Sequence, residues 1–288
     1  MKVAHRPEEL EPVERSVAIG SFDGVHVGHR TVLDAARAGG RPASVVTFWL
    51  HPRLVLGNQV ELLSTLERRL ELLEEAGMDE VLVVEFTPEL ARREPAEFAQ
   101  TLLHEIKARV IAVGENFRFG RGAVGDPALL QRLDFDVRVV PILEGVSSTR
   151  IRTCLREGDV VAAAHLLGRP PEVEGTVVSG FQRGGTLGYP TANLAVPPEV
   201  LVPAYGIYAG AARGHRAAIS IGVNPHYGGD ERRVEPFLLD FEGDLYGQRL
   251  VVELWQRLRD EQAFANEAEL VEQIARDVAQ TRAAERPA

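Results

Sequence analysis

Through the first half of the chain, short apolar runs alternate with stretches whose apolar residues recur at helical spacing. Val17-Ala-Ile19, Ala43-Ser-Val-Val-Thr-Phe48, Glu80-Val-Leu-Val-Val-Glu85, Arg109-Val-Ile-Ala-Val113 and Asp136-Val-Arg-Val-Val-Pro141 have the composition of buried strands. Between them, Arg30 to Arg37, Ser64 to Gly77, Pro95 to Ile106 and Asp126 to Leu133 read as helices, the second opened by the capping-box pattern Ser64-Thr-Leu-Glu67. Strand and helix in regular turn predict a parallel sheet with helices on both faces. In such folds, sites lie beyond the carboxyl ends of the strands.

The pattern changes at Gly168-Arg-Pro-Pro171, which follows a helix from Asp159 to Leu167. Beyond it, Glu172 to Val178, Gly206 to Ala212, Arg216 to Ile221, Val234 to Phe241 and Arg249 to Arg257 are short strand candidates set among Gly-rich turns. A single helix follows, with Asn266-Glu-Ala-Glu269 as its capping box and Leu270, Val271, Ile274 and Val278 as its apolar stripe. The reading is a small antiparallel β-barrel with a terminal helix. With 288 residues the chain is expected to form two domains, residues 1–168 of α/β type and residues 169–288 of β type.

Composition narrows the function classes. No apolar run is long enough to span a membrane, and the polar start Met1-Lys-Val-Ala-His-Arg-Pro-Glu-Glu9 is not a signal peptide, so a cytoplasmic protein without membrane partners is expected. A net charge of -10 argues against nucleic acid as a partner, because backbone-phosphate binding needs clustered positive charge. The pairs Arg68-Arg69, Arg92-Arg93 and Arg232-Arg233 are separate and read as solvated faces. The lone Cys154 can form no internal disulfide and reads as a packing residue. A monomer or weak homo-oligomer is expected. Lysine occurs only at positions 2 and 107, which rules out a Gly-x-x-x-x-Gly-Lys phosphate loop.

Phosphate chemistry is nevertheless written into Gly20-Ser-Phe-Asp-Gly-Val-His-Val-Gly-His29, a turn between strand and helix. Gly20, Gly24 and Gly28 give a phosphate room to approach the unpaired N–H groups at the helix start. His26 and His29, three apart, can donate hydrogen bonds to phosphate oxygens as negative charge develops. A turn whose histidines merely cap the helix is the alternative. Two further segments follow strands: Thr47-Phe-Trp-Leu-His-Pro-Arg53 and Gly114-Glu-Asn-Phe-Arg-Phe-Gly120 set polar groups beside aromatics that could face a flat ring. Loop packing accounts equally well for Trp49, Phe117 and Phe119. Gly120-Arg-Gly-Ala-Val-Gly125 matches Gly-x-Gly-x-x-Gly, but it does not turn directly from strand to helix as a dinucleotide site must, and a flexible loop near the nucleotide is the better account. In Gly145-Val-Ser-Ser-Thr-Arg-Ile-Arg152, Ser147, Ser148 and Thr149 offer hydroxyls and free N–H groups at a helix start, and Arg152 a phosphate clamp one turn on; a plain N-cap explains the serines as well.

In the second half, Gly180, Gly184, Gly185 and Gly188 permit a tight backbone wrap around a phosphate, while Thr191 and Asn193 place two neutral oxygens that suit Mg2+; a long glycine loop is the competing reading. Glu235 sits inside an apolar strand, where a carboxylate needs a reason to be, either chemistry or an ion pair with Arg232 or Arg233. Asp240, Glu242 and Asp244 fall around a Gly-containing turn and read as turn or surface residues.

These strings together resemble the prokaryotic bifunctional riboflavin kinase/FMN adenylyltransferases, the FAD synthetases. The first ten-residue motif resembles the HxGH signature of nucleotidyltransferases, Ser-Ser-Thr-Arg-Ile-Arg152 the motif that accompanies it, and Gly188-Tyr-Pro-Thr-Ala-Asn193 the Gly-Phe-Pro-Thr-Ala-Asn signature of riboflavin kinases. The resemblance implies a Rossmann-like adenylyltransferase domain that joins FMN and ATP into FAD, and a barrel that phosphorylates riboflavin with ATP, both with Mg2+. It implies His26, His29 and Arg152 as catalytic in the first domain, with Gly20, Phe22, Asp23, Gly28, Ser147, Ser148 and Thr149 around ATP, and Asn116 and Phe48 toward the flavin. In the second it implies Glu235 as the base, Gly180, Arg183, Gly184, Leu187, Gly188, Pro190, Thr191 and Asn193 around ATP, and Thr191 and Asn193 at the metal. Alternatives are an enzyme with one working activity, a flavin-binding regulator and an NAD oxidoreductase.

Overall fold

The computed structural model describes residues 1–179, 188–223 and 232–287. By packing, the chain falls into two units, Met1–Val60 with Leu66–Val146, and Glu61–Thr65 with everything from Ser147 onward.

The first unit is a six-stranded sheet in the order β1-β4-β3-β2-β5-β6. Its strands are β1 (Lys2–Ala4), β2 (Arg15–Ile19), β3 (Ala43–Trp49), β4 (Glu80–Glu85), β5 (Ala108–Gly114) and β6 (Asp136–Val140), and every neighbouring pair is parallel. The short edge strand β1 is an addition to the sequence reading. Helices are α1 (Val27–Arg37), α2 (Pro52–Val55), α3 (Leu66–Glu75), α4 (Pro88–Ala91), α5 (Pro95–Phe98), which continues through a π-turn Ala99–Leu103, and α6 (Pro127–Arg132). Side chains alternate across the sheet as a pleat requires. Ala18, Val45, Val81 and Ala112 pack with Val32 and Leu33 of α1 and Leu72 and Leu73 of α3. Val17, Ile19, Val46 and Ile111 pack on the other face with Phe98, Leu103 and Leu130. The chain runs outward from β2 through β3 to β4, then returns to the other side of β2 for β5 and β6. The reversal lies between β2 and β5, the place where a doubly wound sheet opens its crevice. The turns after these two strands are Gly20–His29 and Gly114–Gly120.

In the second unit α7 (Ser148–Glu157) and α8 (Val160–Leu167) precede a closed barrel in the order β10-β11-β8-β7-β12-β9. Its strands are β7 (Glu172–Val178), β8 (Asn193–Ala195), β9 (Gly206–Ala212), β10 (His215–Val223), β11 (Arg232–Leu238) and β12 (Arg249–Arg259), and all adjacent pairs along the barrel wall that share a ladder are antiparallel. The helix pair packs in this unit, ahead of the Gly168–Pro171 boundary, because Ile151, Cys154, Leu155, Val160 and Leu167 share one core with Val173, Ile219 and Val252 of the barrel. Cys154 is thus a packing residue. The terminal helix α9 (Glu267–Ala283) has Asn266 as N-cap, accepting from the Glu269 N–H. Its apolar stripe is only half-buried, and its buried residues are Asp277 and Thr281. Asp277 receives Arg259 Nη2 at 2.7 Å, so an ion pair ties this helix to the barrel.

Candidate active sites

The turn after β2 is held by its own backbone. Gly20 N–H donates to the Val46 carbonyl, and Val25 N–H closes back on Phe22 at 3.1 Å. Phe22 and Val25 have φ of 48° and 38°, a region that costs non-glycine residues about 1–3 kcal/mol and tends to be kept where a site needs the geometry. The Phe22 ring turns back into the core, and a Cβ at Gly20 would stand 3.2 Å from it. Any phosphate contact by Phe22 therefore comes from its main chain.

His26 caps α1: its Nδ1 accepts the His29 N–H at 3.1 Å, which puts the proton of a neutral His26 on Nε2. The two imidazoles are stacked with centroids 3.5 Å apart, and Phe22 meets His29 edge-on at 5.3 Å. A Cβ at Gly28 would come within 3.3 Å of the His26 ring, so this glycine makes room for the histidine. Burial, then the charges of His26 and Arg69, hold His29 well below the ordinary imidazole range. At neutral pH it is a neutral ring, and its buried Nδ1 has no hydrogen-bond partner among the described residues. A neutral His29 beside an open helix start can donate to a phosphate oxygen without adding a second charge next to His26.

Asp23 of this turn, 2% exposed, favours the charge of the fully buried Arg69, whose burial otherwise opposes it. Arg69 comes from α3. Its Nη1 donates to the Phe48 carbonyl at 3.3 Å, and its guanidinium carbon lies 5.9 Å from the Trp49 ring centroid. The solvated-face reading of Arg68-Arg69 is corrected here, since α3 turns Arg69 inward between Leu66 and Leu72–Leu73. Arg68 pairs with Glu71 and Glu75.

The aromatics sort themselves by burial. Phe119 belongs to the core, Phe117 stacks on it at 5.4 Å, and Phe48 meets Phe86 edge-on at 5.7 Å. Asn116 is exposed after β5. The Gly120–Gly125 stretch is a closed turn rather than an open loop, bonded between Phe119 and Gly125 in both directions. A Cβ at Gly120 or Gly125 would overlap Pro95 at 2.5 Å or 2.7 Å, so these glycines serve packing.

In the second unit Ser147 is the N-cap of α7, its hydroxyl accepting the Arg150 N–H at 3.1 Å, with Ser148 and Thr149 in the first turn. Arg152, 6% exposed, donates its Nε to the Glu61 carbonyl at 2.6 Å. On the barrel, Val234 of β11 faces Leu194 of β8, and Ala192 N–H donates to the Pro236 carbonyl at 2.9 Å. This register sets Asn193 opposite Glu235, an arrangement that brings cross-strand side chains within contact. Glu235 is half-buried; desolvation raises its carboxyl above the usual range, while Arg233 opposes the rise. Arg232 is occupied elsewhere, donating to the Val202 carbonyl and lying over Tyr205. Beside this strand a pocket is lined by Val177, Pro190, Thr191, Pro236, Phe241 and Tyr246, among others. Asp240 pairs with Arg282, and Asp244 accepts the Tyr246 N–H, as turn residues do. Gly188 has a φ of 83° at the start of the described motif. Gly180, Arg183, Gly184 and Leu187 lie outside the described residues.

Two family models match, one on each half: the FAD synthetase family over residues 9–152 and the riboflavin kinase family over residues 167–284. The bifunctional riboflavin kinase/FMN adenylyltransferase of Listeria monocytogenes is 34% identical over 97% of this chain and 96% of its own length. The chain belongs to this family. The Escherichia coli member is 36% identical over 91% of this chain and 90% of its own. A crystal structure described as a macrolide-efflux protein from Streptococcus pneumoniae superposes with a TM-score of 0.86 at 32% identity, covering 97% of this chain and 98% of that one. That description names transport, whereas among the described residues no helix here is long and apolar enough to cross a membrane.

The FAD synthetase family match takes in both the HxGH turn and Ser147–Arg152, and the riboflavin kinase match takes in Thr191, Asn193 and Glu235. The residue that motif reading missed is Arg69. Its signal was present in the helical spacing of Leu66, Arg69, Leu72 and Leu73, which puts the arginine on the apolar face.

Proposed function

We infer that this chain carries both activities of its family: it phosphorylates riboflavin with ATP to give FMN and ADP, then transfers the adenylyl group of a second ATP to FMN, giving FAD and pyrophosphate. The observation that carries the reading is the fall of the two family matches on the two halves of the chain, each with its own phosphate-binding motif. We assign residues 1–168 to adenylyl transfer and 169–288 to the kinase, in the cytoplasm where ATP is supplied.

In adenylyl transfer, the FMN phosphate oxygen attacks the α-phosphorus of ATP and the bond to pyrophosphate breaks. The start of α1 with His26 and His29 supplies donors where charge accumulates, and on the strength of the paired motifs Ser147, Ser148, Thr149 and Arg152 serve the same phosphates. Gly20, Asp23 and Gly28 shape that turn; Asn116 and Phe48 are assigned to the flavin.

In the kinase, Glu235 accepts the proton of the ribityl hydroxyl as it attacks the γ-phosphorus. Its raised carboxyl makes it a better base than a solvent-exposed glutamate. Among the described residues no group of three His, Cys, Asp or Glu side chains is set to hold a metal. The hard neutral oxygens of Thr191 and Asn193 fit an ion held mainly by substrate phosphates, as Mg2+ is. When bound there, Mg2+ neutralises phosphate charge.

The test is a flavin assay by HPLC with riboflavin, ATP and Mg2+. The parent is expected to make FAD, Glu235→Ala to stall at riboflavin, and His29→Ala to stall at FMN. Accumulation of FMN by the parent would remove the adenylyl-transfer half of the reading.

A further inference from the structure

Arg69 has a free edge. Nη1 is engaged by the Phe48 carbonyl, while Nε and Nη2 are buried with no hydrogen-bond partner among the described residues. Those two nitrogens form the side-on fork of a guanidinium, the edge that matches two oxygens of one phosphate. A protein does not ordinarily leave two donors of a fully buried cation unmet, because each forfeits its hydration without replacement. Electrostatically the fork belongs to the HxGH turn: Asp23 favours its charge and it in turn acts on His29, whose Nδ1 is likewise unmet.

We propose that Arg69 is a further substrate-binding residue of adenylyl transfer, its Nε and Nη2 receiving two oxygens of a substrate phosphate at the entrance of α1. This rests on the reading of that turn as the adenylyl-transfer site. Arginine is suited to the position because a lysine would bring the charge without the fork. The Phe48 carbonyl and the Trp49 ring fix the guanidinium plane, so little side-chain freedom is lost on binding. The fork has no exposed surface, so the phosphate engages it as neighbouring side chains shift. Two sources carry the same chemistry, the ATP polyphosphate and the FMN phosphate.

The experiment is steady-state adenylyl transfer by the full chain with FMN and ATP varied separately, for the parent, Arg69→Gln, Arg69→Lys and His29→Ala. Riboflavin phosphorylation and near-UV circular dichroism serve as fold controls. Arg69→Gln is expected to raise one KM roughly ten- to a hundredfold, the factor carried by charge-assisted hydrogen bonds. A raised KM for ATP assigns the polyphosphate and a raised KM for FMN assigns the flavin phosphate; Arg69→Lys recovers part of the loss. Both KM values unchanged with a lowered melting temperature would make Arg69 structural and overturn the proposal. So would a lowered kcat with unchanged KM and a shifted pH profile, which would mean action through His29. If Arg69→Gln fails to fold, Arg69→Lys decides: a severalfold higher KM supports the fork, a parental KM removes it. Adenylyl transfer indifferent to His29→Ala would sink the site reading itself, whatever Arg69→Gln does.

Discussion

Glu235 keeps a carboxylate where desolvation resists its ionisation, and that cost has a direction in pH. A folded-state carboxyl raised above its unfolded value binds its proton longer in the folded chain, so it favours folding at acid pH and loses that advantage as pH rises through the raised range. Glu235→Gln is therefore expected to lower riboflavin phosphorylation by about 10²–10⁴-fold, the usual worth of a general base. Its melting temperature at neutral pH should equal or exceed the parent's, as thermal scans would show. His29 runs the other way. The unfolded imidazole, near its ordinary value, takes a proton that the folded site refuses, so stability falls as pH drops below about 6.5. Between pH 8 and 5.5 the parent should lose more melting temperature than His29→Gln.

Elements place these residues for reasons of space as much as propensity. On β9, a Cβ at Gly210 would stand 1.8 Å from the Glu253 carbonyl oxygen of β12, across a pairing that is already irregular between Leu254 and Gln256. Gly210→Ala is expected to cost at least about 1–3 kcal/mol in urea denaturation and to lower kinase yield. At α7, removing the N-cap hydroxyl with Ser147→Ala should cost about 0.5–2 kcal/mol on stability. A fall in adenylyl transfer beyond that stability loss would be the phosphate contact speaking; a rate that merely tracks folding would leave Ser147 a cap. The π-turn after α5 and the short β1 and β8 were not visible as elements in the sequence. Three-residue strands carry too little periodicity to be read, and they exist because a neighbouring strand pairs with them.

At the scale of the molecule, the chain falls into two packing units, and the two family matches fall one on each half of the chain. His29→Ala should leave riboflavin phosphorylation within about twofold of the parent, and Glu235→Gln should leave adenylyl transfer from supplied FMN equally intact, as expected if the two activities use separate residues. Loss of both activities from either substitution would refute that independence. By itself the sequence determined the fold class of each half, the central strands, the capping of α9, and the family whose motifs hold His26, His29, Thr191, Asn193 and Glu235. It could do so because strand and helix periods, caps and glycine-rich turns are local properties of neighbouring residues. The tertiary structure alone decided that α7 and α8 pack with the barrel, that Gly120 and Gly125 make way for Pro95, that Asn193 stands opposite Glu235, and that Arg69 is buried against the Phe48 carbonyl and the Trp49 ring, within electrostatic reach of His29 and Asp23. Each of these depends on contacts between segments far apart in the chain, whose partners no local pattern names.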